Sequence, residues 1–189
     1  MRIAVSSDMD EPVARLVVDE LRRRGHTVLA FGALRAGDRK GMRRGTELDG
    51  GVVAGDGWAW SAEAAAREVA AGRTEQAVVC CWTGTGASIA ANKVAGVRAA
   101  LCGDAYTARG ARKWNDANVL ALSLRLTSGA LLSEILDAWF DAVASGHADV
   151  RANIEHVDSI GVADRASGGI ADDASDEAHD GAPVGETVR

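Results

Sequence analysis

Val78-Val79-Cys80-Cys81-Trp82-Thr83-Gly84-Thr85-Gly86-Ala87-Ser88-Ile89-Ala90-Ala91-Asn92-Lys93 is the stretch that decides the fold class. It opens as a short apolar run that ends in a thiol, the pattern of a buried strand. A Thr/Gly-rich turn follows, and then a short helical pattern. Open α/β sheets bind ligands at the carboxyl ends of their strands, which is where this turn falls. An N–H-rich turn at a helix start also attracts anions. The stretch therefore marks a fold and a chemical site together.

Working outward, a strand is expected over residues 2–6, followed by Asp8, Asp10, Glu11 and Pro12 as helix-start chemistry. Val13, Leu16, Val17 and Leu21 fall at helical spacing, and Gly25 ends that helix. A second strand is expected over 27–31, then an irregular Gly/Arg-rich loop over 32–57 that carries Arg35, Arg39, Lys40, Arg43 and Arg44. A helix over 60–71 leads into the third strand at 77–81. Strands at 97–102 and 119–124 alternate with helices at 105–113 and 128–144, and a last helix is expected over 149–160. Alternating short strands and helices predict an α/β fold, a Rossmann-like three-layer α/β/α sandwich around a five-stranded parallel sheet. The domain is expected over 1–160, with an acidic, disordered tail over 161–189.

Composition narrows the function. The chain has 189 residues, 47% of them hydrophobic, and a formal net charge of −6, which argues against nucleic-acid binding. No apolar run approaches the roughly 20 residues needed to cross a bilayer. The opening residues 1–5 read directly as strand, without the apolar core of a signal peptide. Three cysteines, two of them adjacent, do not resemble a disulfide framework, so a reduced, cytoplasmic setting is expected.

Several chemistries drop out on spacing. A dinucleotide fingerprint needs Gly or Ala three residues after Gly86, where Ile89 stands, and the Gly-Lys-Ser/Thr of a phosphate loop is missing. Cys80-Cys81 is not a Cys-x-x-Cys pair, and no His/Cys cluster has zinc spacing. Strand alternation sends Cys80 and Cys81 to opposite faces, so at most one needs to be inert core. Closely spaced acids such as Asp8, Asp10 and Glu11 usually serve as N-terminal helix charge rather than a metal site.

Cys81-x-Thr83-Gly84-x-Gly86-x-Ser88-Ile89-Ala90-Ala91-Asn92-Lys93 resembles the signature of the ribose-5-phosphate isomerase B / galactose-6-phosphate isomerase family. Gly96-Val97-Arg98-Ala99-Ala100-Leu101-Cys102 and Asn115-Asp116-Ala117-Asn118-Val119-Leu120-Ala121-Leu122 match as well, in order and at the right spacing. The resemblance spans roughly residues 2–145. It implies aldose–ketose isomerisation of sugar phosphates without a metal or other cofactor, in homodimers or dimers of dimers with active sites at the subunit interface. It makes Cys81 the base that moves a proton between C1 and C2 through a cis-enediolate. Backbone N–H groups and a helix start favour the thiolate such a base needs. Thr83 and the amides of residues 84–86, with Thr85 in the same turn, are implied to hold the enediolate oxygen, Ser88 to line the site and Asn92 to shape the turn. Members that lack the Cys use a Glu where this chain has Ala87.

The departures point to the substrate. Asp8-Met9 stands where the family has Asp-His, and Trp114, ahead of Asn115, stands where a ring-opening His is usual. Of the phosphate arginines, Arg125 matches, whereas Ala152 and His156 occupy two further positions and Arg151 lies one residue out of register. A Tyr-Pro loop becomes Asp56-Gly57-Trp58-Ala59-Trp60, and Trp82 replaces a small Gly beside the base. Each Trp alone is more often core, but these map around one family pocket, and indoles stack on sugars and narrow pockets. Without a ring-opening His, an open-chain substrate is favoured over plain ribose 5-phosphate. A four-carbon sugar phosphate qualifies, because its blocked terminal oxygen cannot close a furanose. Asp8 is then expected to take part of the proton traffic. The sequence leaves two alternatives open: epimerisation or isomerisation of an unusual or non-phosphorylated sugar, and a non-catalytic sugar-phosphate-binding subunit.

Overall fold

The computed structural model describes residues 1–35 and 57–160. Most of the expected 32–57 loop and all of the expected 161–189 tail lie outside the described residues. Five strands, β1 (Arg2–Ser7), β2 (Thr27–Gly32), β3 (Gln76–Cys81), β4 (Ala99–Leu101) and β5 (Val119–Ser123), form one parallel sheet in the order β2-β1-β3-β5-β4. Six helices accompany them: α1 (Pro12–Arg23), α2 (Trp58–Ala70), α3 (Thr85–Asn92), α4 (Ala105–Asn115), α5 (Gly129–Asp141) and α6 (Ala148–Ser159). The Rossmann-like α/β sandwich expected from the alternation is the fold observed.

The two faces of the sheet are built differently. On one face Ile3, Val5, Val78, Leu120 and Leu122 pack against α1, α4 and α5 through Leu21, Leu132, Ile135, Leu136 and Trp139. Full burial of such large side chains contributes roughly 1.5–3 kcal/mol each, so most of the core's stability resides there. Trp139 satisfies its buried indole N–H by donating to Gln76 Oε1 at 2.7 Å. On the other face α2 and α3 approach through alanines, Ala62, Ala65, Ala66, Ala87 and Ala91, over Ala4, Ala77, Val79 and Cys81. Small residues let those helices sit close to the strands that carry the site. Alternation does separate the cysteines, Cys80 to the large-residue face and Cys81 to the alanine face.

Helix ends follow their local chemistry. Gly25, at φ +81°, closes α1, with its N–H donating to Arg22 O and that of His26 to Leu21 O, the paired bonds of a Schellman turn. The acids before α1 act differently from expectation. None lies in the first turn, Glu11 makes no side-chain cap, and Asp10 pairs with Arg15. Helix α2 begins at Trp58, two residues earlier than expected, because Gly57 takes the extended cap conformation. Helix α5 is shorter than expected: Ser128 is its cap, accepting from Leu131 N, and the chain is extended by Ala142. Strand β4 is also trimmed, since Arg98 N turns to Asn118 Oδ1 before the ladder starts.

Candidate active site

The sheet order sets the site before any side chain is considered. The order in which strands are added reverses between β1 and β3, with α1 on one face and α2 on the other, and such a switch point opens a crevice at the carboxyl ends. Ser7 pairs with Cys80 in register, so the next residues along, Asp8 and Cys81, flank that crevice. The Cys81 thiol is buried, at 4% exposure. Burial holds the Asp8 carboxyl above the ordinary carboxylate range, opposed by its own backbone hydrogen bond, and its Oδ1 is buried without a hydrogen-bond partner. Ser7 Oγ donates to Met9 O at 2.7 Å and accepts from Met9 N, fixing the turn that carries Asp8 and Met9. Cys80, on the other face, has its thiol pushed up to about 12 by burial and stays an inert core residue.

The Thr/Gly turn is held from below. Cys81 O accepts from Gly84 N and Leu124 N, while Trp82 O accepts from Arg125 N and from Ser123 Oγ. Gly84 caps α3 at φ +78°, and a Cβ there would stand 2.5 Å from Leu101 Cδ1 and 2.9 Å from the Leu122 carbonyl carbon. Only glycine fits on both counts. The Gly84 amide is committed to Cys81 O, which corrects the expectation that it faces substrate. The first-turn amides of Thr85, Gly86 and Ala87 have no intrahelical acceptor, and they carry the helix's positive end. Thr83 and Thr85 are exposed at the turn, Ser88 half-buried behind it, and Arg125 exposed two residues beyond the Cys81–Ser123 pair.

The remaining expected residues divide between the two edges of the sheet. Trp58 lies on Gly86, and Trp82, 49% exposed, follows Cys81 directly. Trp60 packs back on Gly57 at the start of α2. Trp114 and Asn115, in contrast, end α4, which runs back from the carboxyl edge, so they stand at the amino-end edge of the sheet. Within one copy of the chain the substituted positions therefore stand at two opposite edges of the sheet. Asn92 ends α3 at that same far edge, where it donates to Ser88 O and Ala99 O and accepts from Ala99 N. It shapes the α3–β4 connection rather than the Thr/Gly turn, and its side chain is committed to the backbone there. A cavity of about 240 Å³ opens at this edge, lined by Asn92, Arg98, Trp114, Asn115, Ile154 and Val157 among others. Arg151 and His156 lie on α6, which bears no buried residue.

Arg98 was not singled out as a site residue, yet it organises this far edge. It donates to Asp116 O and Oδ2 and grips both carboxylate oxygens of Asp158 on α6, at 2.8 and 3.0 Å. Arg112 donates to Asp116 Oδ1 and Ala117 O. Asp116 itself takes the left-handed conformation at φ 42°. The signal available in the sequence was Arg98's place inside the second matched motif. Among the described residues, no group of three or more His, Cys, Asp or Glu is placed to hold a metal, and no helix is long and apolar enough to cross a membrane.

Residues 50–157 match the sequence profile of a family described as Ribose/Galactose Isomerase. The chain belongs to that family. Its relatives are sugar-phosphate isomerases. A D-erythrulose-4-phosphate isomerase of Pectobacterium atrosepticum is 47% identical over 75 residues, which cover 40% of this chain and 49% of that one. Ribose-5-phosphate isomerase B of Escherichia coli is 39% identical over 108 residues, 52% of this chain and 72% of that one. The chain thus spans about half the length of the first of these relatives and nearly three quarters of the second. The solved structure of Clostridium thermocellum ribose-5-phosphate isomerase B superposes with a TM-score of 0.70 at 32% identity, covering 85% of this chain and 97% of that one. The ribose/galactose isomerase fold is thus shared almost end to end with that structure.

Proposed function

We propose that the protein is an aldose–ketose isomerase for a short, open-chain sugar phosphate. Cys81, as the thiolate, removes the proton from C2 of the aldose, and the electron pair moves to the carbonyl oxygen to give a cis-enediolate. The same sulfur returns the proton to C1, which yields the ketose. Thr83 and the amides of Thr85 and Gly86 stabilise the charge that develops on oxygen, where donors fixed in advance are worth most. The O2 hydroxyl proton must also reach O1. Asp8 is the group for that transfer, because burial raises its carboxyl and its Oδ1 lacks a hydrogen-bond partner, so it holds a proton more readily than an ordinary carboxyl. Arg125, at the same edge, receives the phosphate.

The observation that carries this reading is that the register of β1 and β3 brings Asp8, Cys81 and the first-turn amides of α3 to one sheet edge at the switch point. Trp114 where a ring-opening His is usual favours a sugar that needs no ring opening, and a four-carbon sugar phosphate is the leading candidate. The Pectobacterium relative is a D-erythrulose-4-phosphate isomerase, whose substrate is of that class. The site is read as shared between two copies, in a homodimer or a dimer of dimers. One copy supplies Cys81 and its turn, and the other supplies Trp114, Asn115, Arg151 and His156, which one chain alone keeps at the opposite edge.

The test is proton exchange in D₂O across a panel of four-, five- and six-carbon aldoses and ketoses, free and phosphorylated. Deuterium is expected at C1 or C2 of a four-carbon phosphate with the native protein, and not with Cys81→Ala. Efficient turnover of ribose 5-phosphate would sink the substrate assignment. Absence of exchange with every sugar would favour a non-catalytic binding subunit.

A further inference from the structure

We propose that Trp58 is the residue that limits the length of sugar this site accepts, by lying across the turn that receives the reacting oxygens; the inference rests on the isomerase reading above. A Cβ built on Gly86 would stand 2.8 Å from Trp58 Cε3, 3.0 Å from Cδ2 and 3.2 Å from Cζ3. The six-membered ring of the indole therefore rests directly on the glycine backbone, an approach that no side chain at position 86 would permit. Gly86 is the second residue of α3, and its amide is among the first-turn donors without an intrahelical acceptor. The indole accordingly borders the anion-receiving turn itself.

The ring is held by a rigid support. Trp58 is the first residue of α2, and Trp60 packs back on Gly57 so closely that a Cβ there would meet its ring at 3.0 Å. Ser61 Oγ donates to Trp58 O, and Ala62, Ala65 and Ala66 are fully buried against the sheet. An aromatic side chain with two torsions on an anchored helix makes a fixed wall. Its remaining surface is open: Trp58 stays 46% exposed although one face is covered by Gly86. With the reacting carbons between the Cys81 thiol and the first-turn amides, the indole bounds the room left over that turn on its α2 side. An added carbon then meets a ring where a smaller residue would leave space.

The experiment compares kcat/KM for erythrulose 4-phosphate and ribulose 5-phosphate in the native full-length protein, Trp58→Ala and Trp58→Phe. One methylene in a pocket discriminates by roughly 10–200-fold, so Trp58→Ala is expected to raise the five-carbon to four-carbon ratio by about that factor. Trp58→Phe, which keeps one ring of the two, is expected to fall between and provides the reading if the alanine variant does not fold. A ratio within about twofold of native in both variants, with the two sugars losing rate together, would overturn the proposal. If the native protein ignores the four-carbon sugar, the substrate assignment fails separately. The ratio is then read on the two shortest sugar phosphates it accepts, and the same shift is required. No turnover of any sugar phosphate would overturn both.

Discussion

The two edges of the sheet are organised by opposite means. At the carboxyl edge, backbone does the positioning: Cys81 O and Trp82 O gather the exits of β3 and β5, and Gly84 fills a space that only glycine fits. At the amino-end edge, charged side chains do it, with Arg98 and Arg112 meeting on Asp116 and Arg98 reaching out to Asp158. The first arrangement brings Cys81, Asp8 and the first-turn amides of α3 to one edge of the sheet. The second holds an exposed helix and an open cavity, which suits a surface that another copy completes.

Substitutions at the two edges should separate accordingly. Cys81→Ser should have the largest effect, lowering kcat on the order of 10²–10⁴-fold, measured by coupled assay with the fold checked by circular dichroism. Retained turnover would remove the thiol from the mechanism. Gly84→Ala comes next. It forces a β-carbon into Leu101 and the Leu122 backbone at a positive φ, and should cost about 1–3 kcal/mol in denaturant unfolding together with most of the activity.

Asp8→Asn should split activity from stability. A carboxyl whose folded pKa is raised stabilises the native state fully below its unfolded pKa, and that contribution is lost as pH rises through the folded value. The asparagine variant should therefore gain thermal stability relative to native at neutral pH, with the gain fading on acidification, while kcat falls. A gain that grows towards acid would contradict a carboxyl raised by burial. At the other edge, Asp158→Asn removes an ion pair whose carboxylate side is exposed, worth about 1 kcal/mol or less because Arg98 keeps its bonds to Asp116. It should leave the melting temperature nearly unchanged and raise KM more than it lowers kcat, because it loosens only α6.

Much of the carboxyl edge was legible in the sequence because its determinants are local. The apolar run into Cys81, the glycines of the turn and the strand–helix alternation are all read within a few residues. What escaped depends on contacts between distant segments. Nothing near Trp58 announces that it will rest on Gly86, and nothing near Arg98 announces Asp158, 60 residues on. Local sequence cannot say which of the tryptophans one chain brings together. Topology divides them, since α4 carries Trp114 the full length of the sheet away from the turn after β3.

That division gives the most direct test of the account. Cys81→Ala and Asn115→Ala, each inactivating a different edge, should be mixed under conditions that allow subunits to exchange. A site shared between two copies predicts that the mixture regains activity, up to about a quarter of native for freely exchanging dimers, because each mixed dimer holds one intact site. Activity no greater than the sum of the separate variants, with exchange confirmed by native mass spectrometry, would show that the two edges do not serve one site.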